Sequence, residues 1–212
     1  PEWIRFLTSH PKSFPPALAR TMAATPKICR QLHLPLQSGS ASVLERMKRG
    51  YTRKDYLETA AALRALMPSI RLSADIIVGY PGETEAEFKE TLSALAEIRF
   101  AGIFSFCYSP RPRTAAARLT DDVPAEIKKR RLMEVQALQK DIQLAFHKTL
   151  IGGRERVLFT GRSKKDPAVF AGRNEGNQVV NFRSNADVVG RFVEVEITDA
   201  GPYSLRGIAV AG

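Results

Sequence analysis

Apolar and polar positions in the first 147 residues predict strands that alternate with helices. Residues 72–78 form a near-continuous apolar run, of the kind that is buried on both faces of a parallel sheet. A turn rich in glycine and proline follows, and Thr84 with Glu87 then predicts a capping box at the start of a helix. Residues 33–40 repeat this order before a second predicted capping box at Ser42 and Glu45. Such alternation indicates β-α units around a parallel sheet.

The alternation of strands and helices continues as far as Gly153. After it, apolar residues recur at every second position instead of at helical spacing. Thr52 with Asp55 predicts another helix start, residues 103–108 predict a strand, and Pro124 begins a long basic helix that ends at Gly152-Gly153. Five short strands are predicted after it, over residues 154–160, 168–173, 178–182, 191–197 and 203–210.

This change of period predicts two domains in an α/β chain. Five short antiparallel strands predict a small all-β barrel of the OB-like kind, which commonly binds single-stranded or looped RNA. We place the boundary between residues 147 and 153, which gives domains of residues 1–147 and 148–212.

The charge balance narrows the class of partner. The 212 residues contain 32 Lys and Arg against 22 Asp and Glu, a formal net charge of +10. Such a surplus favours a polyanionic partner, nucleic acid before membrane. Only Cys29 and Cys107 are present, with no bilayer-length apolar run and no signal-peptide pattern, so we expect a soluble, cytoplasmic protein. The chain opens in an apparent strand without Met, which predicts a fragment.

Polar side chains at two predicted strand ends mark the strongest candidate site. They lie at residues 37–40 and 75–83, and the C-terminal edge of such a sheet is where α/β folds place ligands. Asp75 interrupts an apolar strand, so its carboxylate must face a polar cavity or pair with an arginine across the sheet, and spacing leaves both open. The three histidines and two cysteines are too scattered to predict a metal site.

Five motifs occur in the order typical of one enzyme family. They are Arg-Phe-Leu-Thr-Ser-His-Pro (5–11), His-Leu-Pro-Leu-Gln-Ser-Gly-Ser (33–40), Met-Lys-Arg-Gly-Tyr-Thr-Arg (47–53), Asp-Ile-Ile-Val-Gly-Tyr-Pro-Gly-Glu (75–83) and Tyr-Ser-Pro-Arg-Pro (108–112). Together they resemble the later motifs of the radical SAM methylthiotransferases, across essentially the whole chain. The first two motifs are most similar to the branch that acts on isopentenyl-adenosine in tRNA.

The resemblance implies a partial (β/α) barrel with parallel strands, followed by a TRAM RNA-binding domain. The implied function of the full-length transferase is to add a 2-methylthio group to N6-isopentenyl-adenosine 37 of tRNA, using S-adenosylmethionine and two 4Fe-4S clusters. The cysteine motifs that hold both clusters are not in these residues, so we expect no catalytic residue, no metal ligand and no activity in this piece alone. The implied partners are the tRNA anticodon stem-loop and the missing N-terminal domains of the same protein, with no membrane.

The matched motifs also imply the binding residues. Those for the cofactor are Gln37, Ser38, Asp75, Ile77, Gly79, Tyr108 and Ser109. Those for RNA, which combine the motifs with clustered charge on the barrel, are Arg49, Arg53, Arg111, Arg113, Arg162, Lys164, Lys165 and Arg173.

The sequence leaves open the partners of two arginines and the conformation of the turn at Arg113. Arg49 and Arg53 could meet the cofactor carboxylate, an RNA phosphate or only solvent, and Arg113 stands where the family usually has glycine, so a turn with positive φ there would be strained. The alternative functions are methylthiolation of threonylcarbamoyl-adenosine 37 and a non-catalytic tRNA-binding role.

Overall fold

The computed structural model describes residues 1–7, 10–163 and 166–210. Its helices are α1 (Pro16–Ala24), α2 (Ala41–Arg46), α3 (Arg53–Leu66), α4 (Glu85–Ile98) and α5 (Ala125–Lys148). Its strands are β1 (Gln31–His33), β2 (Arg71–Val78), β3 (Gly102–Cys107), β4 (Arg154–Arg162), β5 (Val169–Asn174), β6 (Val179–Arg183), β7 (Phe192–Ala200) and β8 (Leu205–Ala209).

The chain divides into two compact units. The sheet unit comprises Phe6–Thr25 and Leu32–Gln139, and the barrel unit comprises Pro1–Arg5, Pro26–Gln31 and Lys140–Gly212. The predicted boundary between residues 147 and 153 stays a prediction. No helix in the described ranges is both long enough and apolar enough to cross a membrane.

A three-stranded sheet in the order β1-β2-β3 organises the sheet unit. β2 and β3 run parallel, from Ser73 opposite Gly102 to Val78 opposite Cys107. The mixed α/β class and the parallel strands of the prediction are therefore confirmed. These three strands do not by themselves form a partial (β/α) barrel.

Only one face of β2 is buried. Its positions alternate along the whole strand, with Leu72, Ala74, Ile76 and Val78 buried and the positions between them half exposed. The prediction that this strand is buried on both faces is wrong, because β3 leaves Phe104 and Phe106 exposed beside its half-exposed face, by 61% and 53%.

Capping by side chains begins two of the three helices for which it was predicted. Thr52 and Asp55 form the expected box at α3, as do Thr84 and Glu87 at α4. The predicted box of Ser42 and Glu45 is wrong, since α2 follows Ser40 without a side-chain cap. The Ser42 hydroxyl instead donates to Glu87 Oε1 at 2.6 Å, a partner 45 positions away that the local pattern does not show.

A closed five-stranded barrel in the order β4-β5-β6-β8-β7 forms the barrel unit. Every pair is antiparallel except β6 with β8, which run parallel. The buried apolar residues that fill it are Val157, Phe159, Phe170, Val180, Phe182, Val188, Val195, Ile197 and Leu205. The predicted small barrel is confirmed, because alternate side chains along each strand point into this core.

The first residues of the chain pack on the outside of this barrel. The Trp3 and Phe192 rings meet edge to face with their centroids 4.7 Å apart. Arg156 forms an ion pair with Glu2 and stacks over Phe192 at 4.2 Å. Among the described residues, the strand predicted at the start of the chain is reduced to a bridge at Ile4, and Glu2 and Trp3 cover part of β4 and β7.

Candidate functional site

A cavity of about 690 Å³ opens at the C-terminal ends of β2 and β3 in the sheet unit. This volume is typical of a small-molecule site. The residues that line it are Gln37, Arg46, Met47, Lys48, Arg49, Asp75, Ile77, Tyr80, Phe106, Cys107, Tyr108, Ser109, Arg111, Thr114, Ala115 and Ala116. They combine cations, one carboxylate, aromatic rings and neutral hydrogen-bonding groups.

Five of the seven residues predicted to bind the cofactor lie in this lining: Gln37, Asp75, Ile77, Tyr108 and Ser109. The other two support the wall from behind. Ser38 is buried with its Oγ 3.2 Å from Thr91 Oγ1, and the Gly79 N–H donates to Glu83 Oε2 at 2.6 Å. The structure thus brings together residues from three separated motifs.

The turn that begins at Gln37 is held by both the sheet and α4. Gln37 donates its backbone N–H to Asp75 O at 2.7 Å and accepts from Ile77 N at 2.8 Å. Its φ of 71° lies in the left-handed region, which few non-glycine residues adopt. A Cβ on Gly39 would lie 2.6 Å from Thr91 Cα, so only glycine allows this approach. The turn is therefore fixed in place beside the cavity.

Asp75 faces the cavity and also has a partner within the sheet. Its Oδ2 lies 3.5 Å from His33 Nε2, and His33 Nδ1 lies 3.1 Å from Ser73 Oγ. Asp75 keeps about a third of its side chain exposed, 32%. Of the two predicted possibilities the cavity is the one found, and the neighbouring basic group is an imidazole instead of an arginine.

Aromatic rings form one wall of the cavity. The rings of Tyr80 and Tyr108 meet edge to face with centroids 5.1 Å apart. The Tyr108 hydroxyl donates to Ala116 O at 3.0 Å, and the Tyr80 hydroxyl donates to Arg46 O at 3.2 Å. Burial raises the pKa of Tyr80, so its hydroxyl stays protonated at neutral pH. These hydrogen bonds fix both rings in place, and the rings provide the apolar surface of the wall.

Behind this wall, α5 holds the turn after β2. Gly79 has a φ of 70°, and a Cβ there would lie 2.3 Å from Lys128 Cγ. Arg131 Nη1 is 2.8 Å from Glu83 Oε2 and also donates to Glu83 O at 3.0 Å, with both side chains buried. Burial raises the pKa of Glu83, and the Gly79 N–H and Arg131 oppose that effect. The pair is costly to break, because either charge left alone would be desolvated.

The cations around the cavity differ in their availability. Arg46 forms a bidentate pair with Glu87, at 2.8 and 3.0 Å, and this hydrogen bonding lowers the pKa of Glu87 to about 2. Arg53 is held by Glu97 at 2.7 Å and lies outside the cavity lining. Arg49 Nε, in contrast, is buried with no hydrogen-bond partner among the described residues. Arg49 is therefore the better candidate of the predicted pair for binding an anion.

The other residues predicted to bind RNA are spread along the chain. Arg111 lines the cavity, while Arg113 is exposed with a φ of 68°. Arg162 and Arg173 are exposed residues of β4 and β5. Lys164 and Lys165 lie outside the described residues.

Sequence reasoning missed several residues of the lining. Arg46, Tyr80, Phe106 and Cys107 belong to it although none of them was predicted to be a binding residue. Phe106 and Cys107 directly precede Tyr108 at the end of a predicted strand, which was an available signal. Nothing in the local pattern of Arg46 distinguishes it from a solvated helical arginine.

The described residues include no group of three His, Cys, Asp or Glu side chains close enough to hold a metal ion. Cys29 is buried, which raises the pKa of its thiol, and Cys107 is half buried. These two cysteines are 78 positions apart in the chain, so they do not form a motif that binds an iron–sulfur cluster.

Comparisons with known proteins find matches for two parts of the chain. Residues 2–95 match the model of the radical SAM superfamily, and residues 148–210 match that of the TRAM domain. The tRNA-2-methylthio-N(6)-dimethylallyladenosine synthase of Geobacter metallireducens is 50% identical over 206 residues, which are 97% of this chain and 46% of the relative. The synthases of the same name from Hahella chejuensis and Acidovorax sp. are 49% and 46% identical, over 96% and 100% of this chain.

The chain spans about half the length of these curated relatives. The predicted resemblance is confirmed by two domain matches in the expected order and by identity close to one half. Residues 2–95 are therefore similar to the radical SAM superfamily and residues 148–210 to the TRAM domain, and the chain is similar to the tRNA-2-methylthio-N(6)-dimethylallyladenosine synthases over nearly its whole length.

Proposed function

We propose that the protein containing this chain is a tRNA methylthiotransferase that adds a 2-methylthio group to N6-isopentenyl-adenosine 37. The observation that carries the proposal is that five of the seven residues predicted to bind the cofactor line one cavity. The names of the relatives, at 46–50% identity, support the substrate. We place the activity in the cytoplasm, where tRNA is modified.

The cavity has the chemistry that S-adenosylmethionine requires. Asp75 can accept hydrogen bonds from ribose hydroxyls or the ammonium group, and Arg49 can pair with the carboxylate. Tyr80, Phe106 and Tyr108 provide apolar surface for the adenine. When bound, S-adenosylmethionine and the 4Fe-4S clusters of the full-length protein would supply the radical and methylation chemistry.

This chain's residues bind, orient and exclude water. Gln37 and Asp75 are fixed by backbone pairing between their strand and turn, so they can orient a ligand without reorganising. We infer that the cysteines for both clusters belong to the length of the relatives that this chain does not cover. The three strands of the sheet unit are then part of a (β/α) barrel that the remaining domains complete.

The barrel unit is proposed to bind the anticodon stem-loop of tRNA. A TRAM domain match and a surplus of basic residues support an RNA partner. The proposed contacts of this unit are Arg162, Lys164, Lys165 and Arg173, and those of the sheet unit are Arg53, Arg111 and Arg113. Arg53 already has acidic and polar partners in its own unit, so its contribution should be the smallest of those described.

The function can be tested by complementation of a strain from which the gene for this protein has been deleted. Full-length genes carrying the parent sequence, Asp75→Ala or Glu58→Ala would be introduced, and tRNA nucleosides measured by mass spectrometry. Glu58 is the matched control because it is an exposed carboxylate on α3 outside the cavity. We expect the parent and Glu58→Ala to restore the methylthio nucleoside, and Asp75→Ala to leave isopentenyl-adenosine unmodified.

Other outcomes separate the alternatives. Restoration of methylthio-threonylcarbamoyl-adenosine alone would assign the related substrate. Restoration of neither nucleoside by the parent would contradict a methylthiotransferase and favour a tRNA-binding role without catalysis.

A further inference from the structure

The outer surface of the barrel unit has two sides with different charge patterns. On β4 and β7 the outward positions pair arginine with glutamate, as Arg154 opposite Glu196 and Arg156 opposite Glu194. Glu2 and Trp3 also pack against this side, through the Glu2 ion pair with Arg156 and the Trp3 ring on Phe192. The β4–β7 side is thus neutralised and partly covered.

Across β5, β6 and β8 the pattern is different. The outward positions form a continuous surface, because Ala171 lies opposite Asn181 and Asn181 lies beside Arg206. Arg173 and Arg183 lie one pleat away at either end of this row. We name these five residues, with Val169, Val179 and Ile208, the basic face. It contains three arginines, and none of its eight positions is acidic.

The arginines of the basic face are accessible. Arg183 and Arg206 expose 67% and 74% of their side chains. Their acidic neighbours lie at the rim: Asp166 is 2.5 Å from Arg183, and Asp199 is 3.5 Å from Arg206. Exposed pairs of this kind contribute little and exchange readily for a better anion. Arg173 bonds only a backbone carbonyl, at Asn177, so its charge is not neutralised by that contact.

We propose that the basic face of β5, β6 and β8 is the surface of the barrel unit that binds the RNA phosphate backbone, with Arg183 and Arg206 as principal contacts. This inference rests on the proposed tRNA-binding function and assigns it a surface. A closed barrel offers no free strand edge, so its strands can contact RNA only through their outward side chains. Planar guanidinium groups pair well with phosphate, and the half-exposed Asn181 between them can donate to a sugar or phosphate oxygen.

A salt titration with two matched double variants tests the surface. Binding of unfractionated tRNA by the 212-residue chain would be measured for the parent, for Arg183→Gln with Arg206→Gln, and for Arg154→Gln with Arg191→Gln. Each double variant lowers the net charge from +10 to +8, but Arg154 and Arg191 lie outside the basic face. Thermal unfolding would confirm that both variants fold.

The expected result is a difference between variants of equal charge. Loss of two phosphate contacts should flatten the plot of log affinity against log salt by about 1.8 units and weaken binding about ten-fold or more at 0.1 M salt. The control should change the slope by less than about 0.5 unit. Ala171→Lys, a substitution at a half-exposed position of the basic face, should steepen the slope by about one unit.

Two results would overturn the proposal, and they can be told apart. Equal losses in both double variants, with no gain for Ala171→Lys, would mean that RNA contacts the barrel elsewhere while tRNA binding itself stands. Absence of tRNA binding by the parent would contradict the proposed RNA-binding function as well, and would leave an acidic protein as the fitting partner.

Discussion

Arg113 has a backbone conformation that favours glycine. Its φ of 68° lies in the left-handed region, so the turn has the positive angle that would strain a non-glycine residue there. A left-handed conformation costs a non-glycine residue about 1 kcal/mol. We expect Arg113→Gly to raise the free energy of unfolding by about that amount in urea titrations. Arg111→Gly, in the same loop without a positive φ, should give no gain, and equal gains would show that strain is not the cause.

His147 should make the stability of the barrel unit depend on pH. It is buried, its Nδ1 lies 2.7 Å from Gly201 O, and its Nε2 has no partner among the described residues. Burial lowers the pKa of His147 below its usual 6.5, so the unfolded chain takes up the proton first. Stability is therefore complete above pH 6.5 and falls as the pH drops below it, until the folded pKa is reached.

Unfolding midpoints measured between pH 8 and pH 5 would check this prediction. His147→Gln should be less stable than the parent at pH 8 but should lose less on acidification. His10, whose pKa is also lowered by burial, acts in the same direction and is unchanged in both chains. Parallel curves for parent and variant would contradict the assignment to His147.

At the residue scale, the sequence predicted which residues line the cavity better than which residues they contact. That Asp75 needs polar surroundings follows from the cost of an isolated buried charge. That its neighbour is His33 does not, because a contact over 42 positions depends on the register of two strands. The same limit hid Arg46, whose place in the cavity depends on its pairing with Glu87.

The first turn of α4 both caps its own helix and binds side chains of α2. Glu87 closes its capping box and also binds Arg46 and Ser42 of α2. We expect Glu87→Ala to lower the free energy of unfolding at pH 7 by about 3 kcal/mol, since it removes a cap and charged hydrogen bonds. Glu90→Ala, an exposed position on the same helix, should change it by less than about 0.5 kcal/mol.

The effect of Glu87 should disappear in acid. The pKa of this carboxyl is lowered from 4.5 to about 2, so its contribution is complete above pH 4.5 and is lost as the pH falls towards 2. Urea titrations of parent and Glu87→Ala at pH 7, 4 and 2.5 would show the difference between them shrinking. A difference that is constant with pH would point to packing instead of charge.

Element boundaries followed from the sequence where local chemistry determines them. The boxes at α3 and α4 formed because both partners lie within one turn. No box forms at α2 because the helix begins at Ala41, after Ser40, so Ser42 lies inside it and donates its hydroxyl to Glu87. In β2 the half-exposed face carries Ser73, Asp75 and Ile77, so polar residues at alternate positions already indicated the exposed face, and the prediction of a continuous apolar strand overlooked this alternation.

For the whole molecule, the N-terminal residues should contribute to the stability of the barrel unit. Trp3 packs on Phe192, and the Arg5 guanidinium lies over the Trp3 ring, 4.9 Å from the centroid of that ring. We expect Trp3→Ala to lower the free energy of unfolding of the barrel unit by about 2 kcal/mol. Tyr203→Ala, an aromatic residue of the same unit that is 71% exposed, is the matched control. Calorimetry would measure both, and equal small effects would show that residues 1–5 only rest on the surface.

The period change at Gly153 was sufficient to predict the barrel, because alternating burial is a local property. The parallel closure of β6 with β8 and the attachment of residues 1–5 were not predictable in this way. Both join segments distant in the chain, and no local pattern encodes which segments meet.

The exposed side chains of β3 affect how the chain behaves in solution. Phe104 and Phe106 lie on an edge strand, and edge strands with apolar surface favour contact between molecules. The net charge of +10 opposes such contact through mutual repulsion, which salt screens. Raising the salt concentration therefore weakens phosphate contacts and at the same time lowers the colloidal stability of the free chain. Affinity and self-association become separable only when salt is varied at protein concentrations low enough to keep the chains apart.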